Sequence, residues 1–426
     1  MQENKVQEKL VSDGPPPSDL RNAAVENAAA HAASEPLFTK PLAHAEVPAA
    51  GGRPGEDGRR LRGAIASVGR VVARTADFAF GGCALWAVLS LLATFPLLQL
   101  LSLGYLLEVS GRVARTGRLG LGFVGHAKAA RWGSVALMAW LMLLAPRLIG
   151  GLAIDAGLIA PAGDQAQRLR GVLLVVCSWI VLHTAAAAWR GGRLRHFLWP
   201  RPIRFLREVT APGGFSKAGS MAWRRVAELQ LPHYFWLGLK GFVAGFALLA
   251  LPTTLLAAGA RTPGLGLLGA VLLAAVVVHL PLLQARLAAT GRWRAGFNFR
   301  AVWSGYSRAP LLHAAAVSAT LLLAAPLYVL KVELVPREAA WLPSLLFVAS
   351  AWPARLLAGW AVARAERTPK RWWRTTLWLA TLIGVLAPLG VAYSLIVFLT
   401  RYASWHGVAS LYEQHAFLLP APFLGY

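Results

Sequence analysis

Charged residues are scarce in this chain, and that scarcity argues against a soluble fold. Only 15% of its 426 residues are charged and 56% are hydrophobic, whereas about a quarter of the residues in soluble domains are charged. Several apolar stretches reach the ~20 residues that span a hydrocarbon core. The short alternating segments of a transmembrane β-barrel are lacking. The sequence therefore predicts an all-α, polytopic helical membrane protein.

Cysteine and catalytic signatures are also sparse. The two cysteines, Cys83 and Cys177, lie in apolar segments and form neither a CxxC motif nor a metal-ligand spacing. The chain contains no Walker A or GxSxG motif, so we expect no cofactor and no enzymatic activity. Residues 1–60 contain no apolar stretch typical of a signal peptide. This predicts insertion through an internal segment and a cytoplasmic N-terminus.

Acidic residues are few except near the N-terminus. The chain has a net charge of +24, yet residues 1–58 hold nine acids against five bases. That segment is rich in Ala, Pro and Glu and nearly free of aromatics, which predicts a disordered tail. A basic interfacial segment follows at 59–77. We predict a helical transmembrane domain over 78–400 and a C-terminal tail over 401–426.

Seven long apolar segments can each form a membrane helix, and the charge of the loops between them alternates. The segments are 133–153, 171–189, 237–258, 264–285, 310–330, 341–363 and 375–399. The loops 108–132, 190–236, 286–309 and 364–374 are strongly basic, and the loops between them are not. Basic loops are cytoplasmic by the positive-inside rule. This predicts an inner-membrane protein with an exterior C-terminus and with anionic lipids, not nucleic acid, as partners.

The apolar run 78–107 leaves two topologies open. Basic residues precede it at 59–74 and follow it at 108–132, so both flanks should be cytoplasmic. Two full crossings need ~40 residues, more than the run supplies. A hairpin of two half-length helices that breaks near Thr94–Pro96 satisfies both charge constraints, since proline disfavours helix at and before its position. The alternative is one tilted, kinked span with an exterior N-terminus.

A repeated string yields a candidate polar site within the membrane. The sequence FPLLQ contains Pro96 and Gln99, and LPLLQ contains Pro281 and Gln284. His279 stands two residues before Pro281 and five before Gln284. One interpretation is a pair of helix breaks whose amides line a polar pathway, as in transporters. The other is two prolines at segment ends, with glutamine bonded across helices.

Basic residues at two places are candidate contacts for lipid headgroups. Arg112 and Arg115 follow Glu108, which stands in the favourable i,i+4 position to pair with Arg112. In the loop 190–236, the arginines Arg201, Arg204 and Arg207 are interleaved with aromatic and aliphatic residues. Such interleaving predicts a segment lying on an anionic membrane surface.

One further candidate is the short exterior loop around Pro336. Its charged residues Glu333, Arg337 and Glu338 are compatible with an ion-paired solvated turn or with a contact to a ligand or partner. The chain can also be a subunit of a homo- or hetero-oligomer within the membrane.

Parts of the chain resemble an uncharacterised family of membrane proteins. The matching features at 78–115 are Gly81–Gly82, Pro96, the run Leu103-Gly104-Tyr105, and the two arginines Arg112 and Arg115. With these features the stretch resembles a domain of unknown function found in bacterial and archaeal multi-pass proteins. The stretches 290–312 and 326–367 resemble uncharacterised proteins that carry the same kind of domain. The resemblance implies the multi-pass architecture and no known activity.

Three alternative functions are compatible with these observations. The first is a non-enzymatic membrane protein with a structural, assembly or lipid-interacting role. The second is a small-solute transporter that uses the Pro/Gln breaks and His279. The third is an intramembrane enzyme acting on lipids.

Overall fold

The computed structural model describes residues 56–95, 97–160, 163–332, 341–403 and 407–413. The chain divides into two compact units, residues 1–67 and 68–426. Of the first unit, only the residues from Glu56 onwards are described, and they are helical. The predicted tail 1–58 and the C-terminal segment 401–426 lie largely outside the described residues. The loop charges Glu333, Arg337 and Glu338 lie entirely outside them, as does Pro96.

Helices make up nearly all of the described chain, and no strand occurs in it. In chain order they are α1 Glu56–Thr94, α2 Gln99–Thr116, α3 His126–Met142, α4 Leu144–Ile159, α5 Asp164–Trp189, α6 Leu194–Leu198, α7 Pro202–Thr210, α8 Gly214–Ala227, α9 Leu231–Ala258, α10 Pro263–Thr290, α11 Phe299–Arg308, α12 Pro310–Val332, α13 Trp341–Glu366, α14 Trp372–Thr381, α15 Ala387–Ala403 and α16 Ser410–Glu413. A π-helical turn at Leu382–Leu386 joins α14 to α15.

Eight helical stretches of the described chain are long and apolar enough to cross a membrane. They are Ala66–Thr94, Leu119–Ile159, Asp164–Trp189, Gly214–Ala258, Pro263–Thr290, Pro310–Leu327, Pro343–Glu366 and Trp372–Tyr402. The last seven match the seven apolar segments of the sequence, and the first covers the start of the ambiguous run. The predicted fold class, an all-α polytopic helical membrane protein, is confirmed.

The short helix α2 forms the centre of the bundle. Fourteen of its 18 residues are buried, and it packs against α9, α10 and α13. Glycine permits this closeness. A Cβ on Gly104 would overlap the Tyr234 carbonyl oxygen of α9, and one on Gly111 would lie 2.7 Å from the Ala288 carbonyl oxygen of α10. Small residues of this kind let membrane helices approach backbone to backbone.

The chain reverses direction between α1 and α2. The rings of Trp86 and Tyr105, one on each helix, lie 6.2 and 5.5 Å from the ring of Trp352. Further back along α1, Phe78 contacts Phe123, which follows the end of α2, with 5.5 Å between ring centres. The two helices therefore form a hairpin that breaks between Thr94 and Gln99, where the sequence predicts it. The arms are not both short, because α1 has 39 residues and α2 has 18.

The second arm of the hairpin, α2, reaches only part of the way along α10. Arg115 and Thr116, at the end of α2, contact Ala288 near the end of α10 and Arg367 just after α13. At ~1.5 Å per residue α2 is ~27 Å long, whereas α10 is ~42 Å long. With its C-terminal end beside that of α10, α2 therefore reaches about two thirds of the way along α10.

Candidate functional site

A buried carboxylate organises the C-terminal end of α2. The Glu108 side chain is only 6% exposed, and its Oε1 accepts hydrogen bonds from Arg112 Nε at 2.9 Å and Arg115 Nη2 at 2.8 Å. Its Oε2 lies 3.3 Å from Nε2 of His233 on α9. Burying a carboxylate is tolerable only when such partners compensate its lost hydration. The sequence predicts the Arg112 pairing through its i,i+4 spacing, but gives no sign of the His233 contact.

Several basic side chains at this end of the bundle bind the last carbonyl groups of neighbouring helices. Arg115 donates to the carbonyl oxygens of Ala288 and Ala289 in α10. Arg367 donates to Thr116 of α2, and Arg225 donates to the end of α5. The last carbonyls of a helix have no intrahelical donor and carry a partial negative charge. These arginines therefore act as clamps between helices, and Arg115 is already engaged in this way.

Arg112 differs from Arg115 because it borders an open cleft. The cleft has a volume of about 480 Å³ and lies between α1, α2, α3 and the start of α9. Its polar wall carries Arg112, Lys128, Glu228, Gln230, Tyr105 and Tyr234, and its apolar wall includes Leu85, Val88, Ala129 and Trp132. Lys128 Nζ donates to the Glu228 carbonyl oxygen at 2.8 Å, which fixes the ammonium group at the cleft.

A smaller basic cleft of about 130 Å³ adjoins the first. The two share Lys128, Trp132 and Glu228, and the smaller one adds Arg131 and Arg225. Four basic residues thus line the two clefts, and Glu228 is the one acidic residue among their lining. The combined surface favours an anion.

The basic loop 190–236 folds into the short helices α6, α7 and α8. Arg201, Arg204 and Arg207 are all exposed on or beside α7. Arg204 pairs with Glu208 at 2.8 Å, and the Trp189 indole also donates to Glu208. These two hydrogen bonds, that from Arg204 first, lower the pKa of the Glu208 carboxyl below its usual value.

Large apolar side chains are exposed along the same helices. Leu198 is 81% exposed and Ile203 is 68% exposed. Trp199, Phe215 and Trp223 are exposed to a similar degree. Basic and apolar groups are therefore presented together, as the sequence predicts for a segment on a membrane surface.

The candidate residues of the polar membrane site do not converge. His279 lies among Phe299, Trp303 and Tyr306, and its Nδ1 lies 2.7 Å from the Ala275 carbonyl oxygen. Gln284 faces another neighbour, Arg355. Gln99 is buried at the start of α2.

The prediction of a helix break at Pro281 is wrong. The alternative prediction, that Pro281 stands at the end of a helical segment, is also wrong. Pro281 lies inside the continuous helix α10. A proline here removes the donor to the Val277 carbonyl, and the Tyr306 hydroxyl donates to the adjacent Val278 carbonyl at 3.0 Å. The helical turn beside the proline is thus bonded to a neighbouring helix, although Tyr306 does not reach the Val277 carbonyl itself.

Sequence reasoning missed Arg355. Its side chain is buried, and its Nη1 donates to Gln284 Oε1 at 2.6 Å. Arg355 Nε and Trp352 Nε1, one helical turn apart, have no hydrogen-bond partner among the described residues. The signal was present, because Arg355 is the one charged residue within the apolar segment 341–363, and such residues are rare in membranes.

These features together define a multi-pass helical membrane protein with a basic, arginine-clamped end. No protein-family model, curated protein sequence or solved structure matches the chain. The resemblance to a domain of unknown function stays a prediction.

Proposed function

We propose that this chain is a non-enzymatic protein of the inner membrane that holds anionic lipid against its cytoplasmic face. The observation that carries the proposal is the α6–α8 segment, where Arg201, Arg204 and Arg207 alternate with exposed Ile203 and Leu206. A membrane surface with anionic headgroups is the environment that accepts both kinds of side chain. The N-terminus is cytoplasmic and the C-terminus exterior in this proposal.

Orientation has a direct test. Cysteine variants Leu20→Cys and Gly120→Cys, each made without Cys83 and Cys177, are labelled with a membrane-impermeant thiol reagent. The proposal expects both positions to react only when the cytoplasmic side is accessible. Reaction from opposite sides contradicts it.

Contact with lipid is tested in the reconstituted full chain. A spin label is attached through Ile203→Cys in bilayers of phosphatidylcholine with or without phosphatidylglycerol. The proposal expects more collisions with oxygen, which partitions into lipid, when phosphatidylglycerol is present. Replacing Arg201, Arg204 and Arg207 by Gln should remove the difference.

The matched control removes the same charge from another basic loop. Arg292, Arg294 and Arg300 are exposed, and their replacement by Gln should leave the label at position 203 unaffected. If both triple variants behave alike, or the label never enters lipid, the lipid-surface proposal fails.

Transport of a small solute is the second candidate. It is favoured by the buried Arg355, whose Nε lacks a described partner inside the bundle. Transport predicts that Gln284→Ala or His279→Ala abolishes solute uptake in cells lacking the native protein, while insertion is normal. Uptake equal to wild type in both variants contradicts it.

A further inference from the structure

The larger basic cleft has a preorganised cationic wall. Glu108 fixes Arg112 through its Nε, and that is the only hydrogen bond of the Arg112 side chain within the described residues. The terminal nitrogens of the guanidinium are therefore available to a ligand. Lys128, on the same polar wall, is held by the Glu228 carbonyl. Two cations with fixed positions can hold one phosphate group with little loss of side-chain freedom.

The other wall of the cleft is apolar and accessible. Leu85 and Val88 on α1 and Trp132 on α3 line it. Val88 is 46% exposed and Trp132 is 42% exposed. Because both helices belong to apolar stretches of membrane-spanning length, this wall can accept a hydrocarbon chain. The cleft volume of about 480 Å³ lies within the ~300–1,000 Å³ of small-molecule sites.

Glu228 restricts the headgroup. This exposed residue lines the cleft, so a second negative charge on a ligand close to its carboxylate would be repelled. A headgroup hydroxyl could instead donate to Glu228. Gln230 and Tyr234, on the same wall, add further polar groups.

We propose that this cleft binds a singly charged phospholipid with a hydroxylated headgroup, of the phosphatidylglycerol type. Arg112 and Lys128 bind its phosphodiester, and one acyl chain lies along Leu85, Val88 and Trp132. The inference shares its lipid class with the proposed function but concerns a specific site in the bundle rather than the surface of α7.

The test measures thermal unfolding of the delipidated full chain in detergent. Dihexanoyl phosphatidylglycerol should raise the unfolding temperature saturably, because a ligand that binds only the folded state stabilises it. Dihexanoyl phosphatidylcholine and inorganic phosphate should have little effect. Equal shifts from both lipids, or the full shift from phosphate alone, would overturn the proposal.

Variants locate the effect in the cleft. Lys128→Gln should weaken phosphatidylglycerol binding about tenfold, and Lys128→Arg should retain it. Val88→Trp narrows the apolar wall at an exposed position and should weaken binding without unfolding the chain. Lys217→Gln removes an equal charge from an exposed site on α8 outside the cleft and should bind as wild type.

The two proposals fail separately. Unchanged binding in both Lys128→Gln and Val88→Trp overturns the cleft proposal, whatever the spin label at position 203 reports. A label at position 203 that never enters lipid overturns the surface proposal even when the cleft variants behave as expected.

Discussion

Arg355 and Gln284 form a polar pair inside the bundle, where Arg355 Nη1 lies 2.6 Å from Gln284 Oε1 across α13 and α10. No carboxylate of the described residues forms an ion pair with Arg355. The guanidinium therefore depends on neutral acceptors. A buried charge held in this way should be sensitive to the loss of any one acceptor.

The first prediction concerns that pair. Gln284→Leu should destabilise the protein by about 2–4 kcal/mol, because it leaves a buried guanidinium without a main acceptor. In the Arg355→Met background the same substitution should cost less than about 1.5 kcal/mol, since no charge remains to be satisfied. The free energy of unfolding in mixed detergent is measured for the wild type, the two single variants and the double variant. Together these values give the coupling energy between Gln284 and Arg355. Additive effects would contradict a direct interaction.

The second prediction concerns the carboxylate at the end of α2. Glu108→Ala should destabilise by about 1–3 kcal/mol, because it removes the buried acceptor of two arginines that remain partly hydrated. Glu366 is the control. It pairs with Arg286 at 3.3 Å but is 54% exposed, so Glu366→Ala should cost less than about 1 kcal/mol. Similar losses in the two variants would mean that burial does not govern the Glu108 interaction.

The third prediction concerns the contact between α2 and α9. Gly104→Ala should destabilise by about 1–3 kcal/mol, because the added methyl group overlaps the Tyr234 carbonyl and the helices must separate. Gly82→Ala is the control on α1, since a Cβ there meets nothing within 4 Å. It should stabilise by up to about 1 kcal/mol through helix propensity. Thermal unfolding of both variants checks this, and a tolerated Gly104→Ala would refute the close approach.

The fourth prediction concerns pH. Burial lowers the pKa of His196 below its usual value, and the nearby arginines Arg190, Arg195 and Arg193 lower it further. The unfolded chain then binds more protons than the folded chain as pH falls below about 6.5, so folding stability decreases there.

The test compares the free energy of unfolding at pH 7.5, 6.5 and 5.5. His196→Gln cannot take up the proton and should lose less stability over this range than wild type. The control is His126→Gln, which leaves His196 in place. This variant should keep the part of the wild-type pH dependence that is due to His196. If removing His196 leaves the pH dependence unchanged, its pKa is not lowered.

Local signals predicted much of this architecture. Loop charge and segment length located the seven apolar helices and indicated that 59–74 and 108–132 belong at one end. Proline and the shortage of residues located the break before Gln99. Each of these features depends on neighbours within one segment, which is why sequence alone could predict it.

Features that depend on packing were missed. Glu108 and His233 are 125 residues apart in the chain, and only the crossing of α2 and α9 brings them together. Pro281 looked like a helix break because the packing that surrounds it within the continuous helix α10 comes from other helices. The cleft beside Arg112 likewise combines residues from four helices, so no local motif marks it.

The arginine clamps have a consequence for how the protein is built. Before the helices pack, these cations have not yet formed their interhelical bonds and can act as signals that orient membrane helices. After assembly, Arg115, Arg225 and Arg367 face the negative ends of helix dipoles, which offset part of their field. The electrostatic potential that a soluble anion meets at this face is therefore weaker than the count of arginines implies. The same arginines that carry this charge thus also hold the helix ends together through hydrogen bonds.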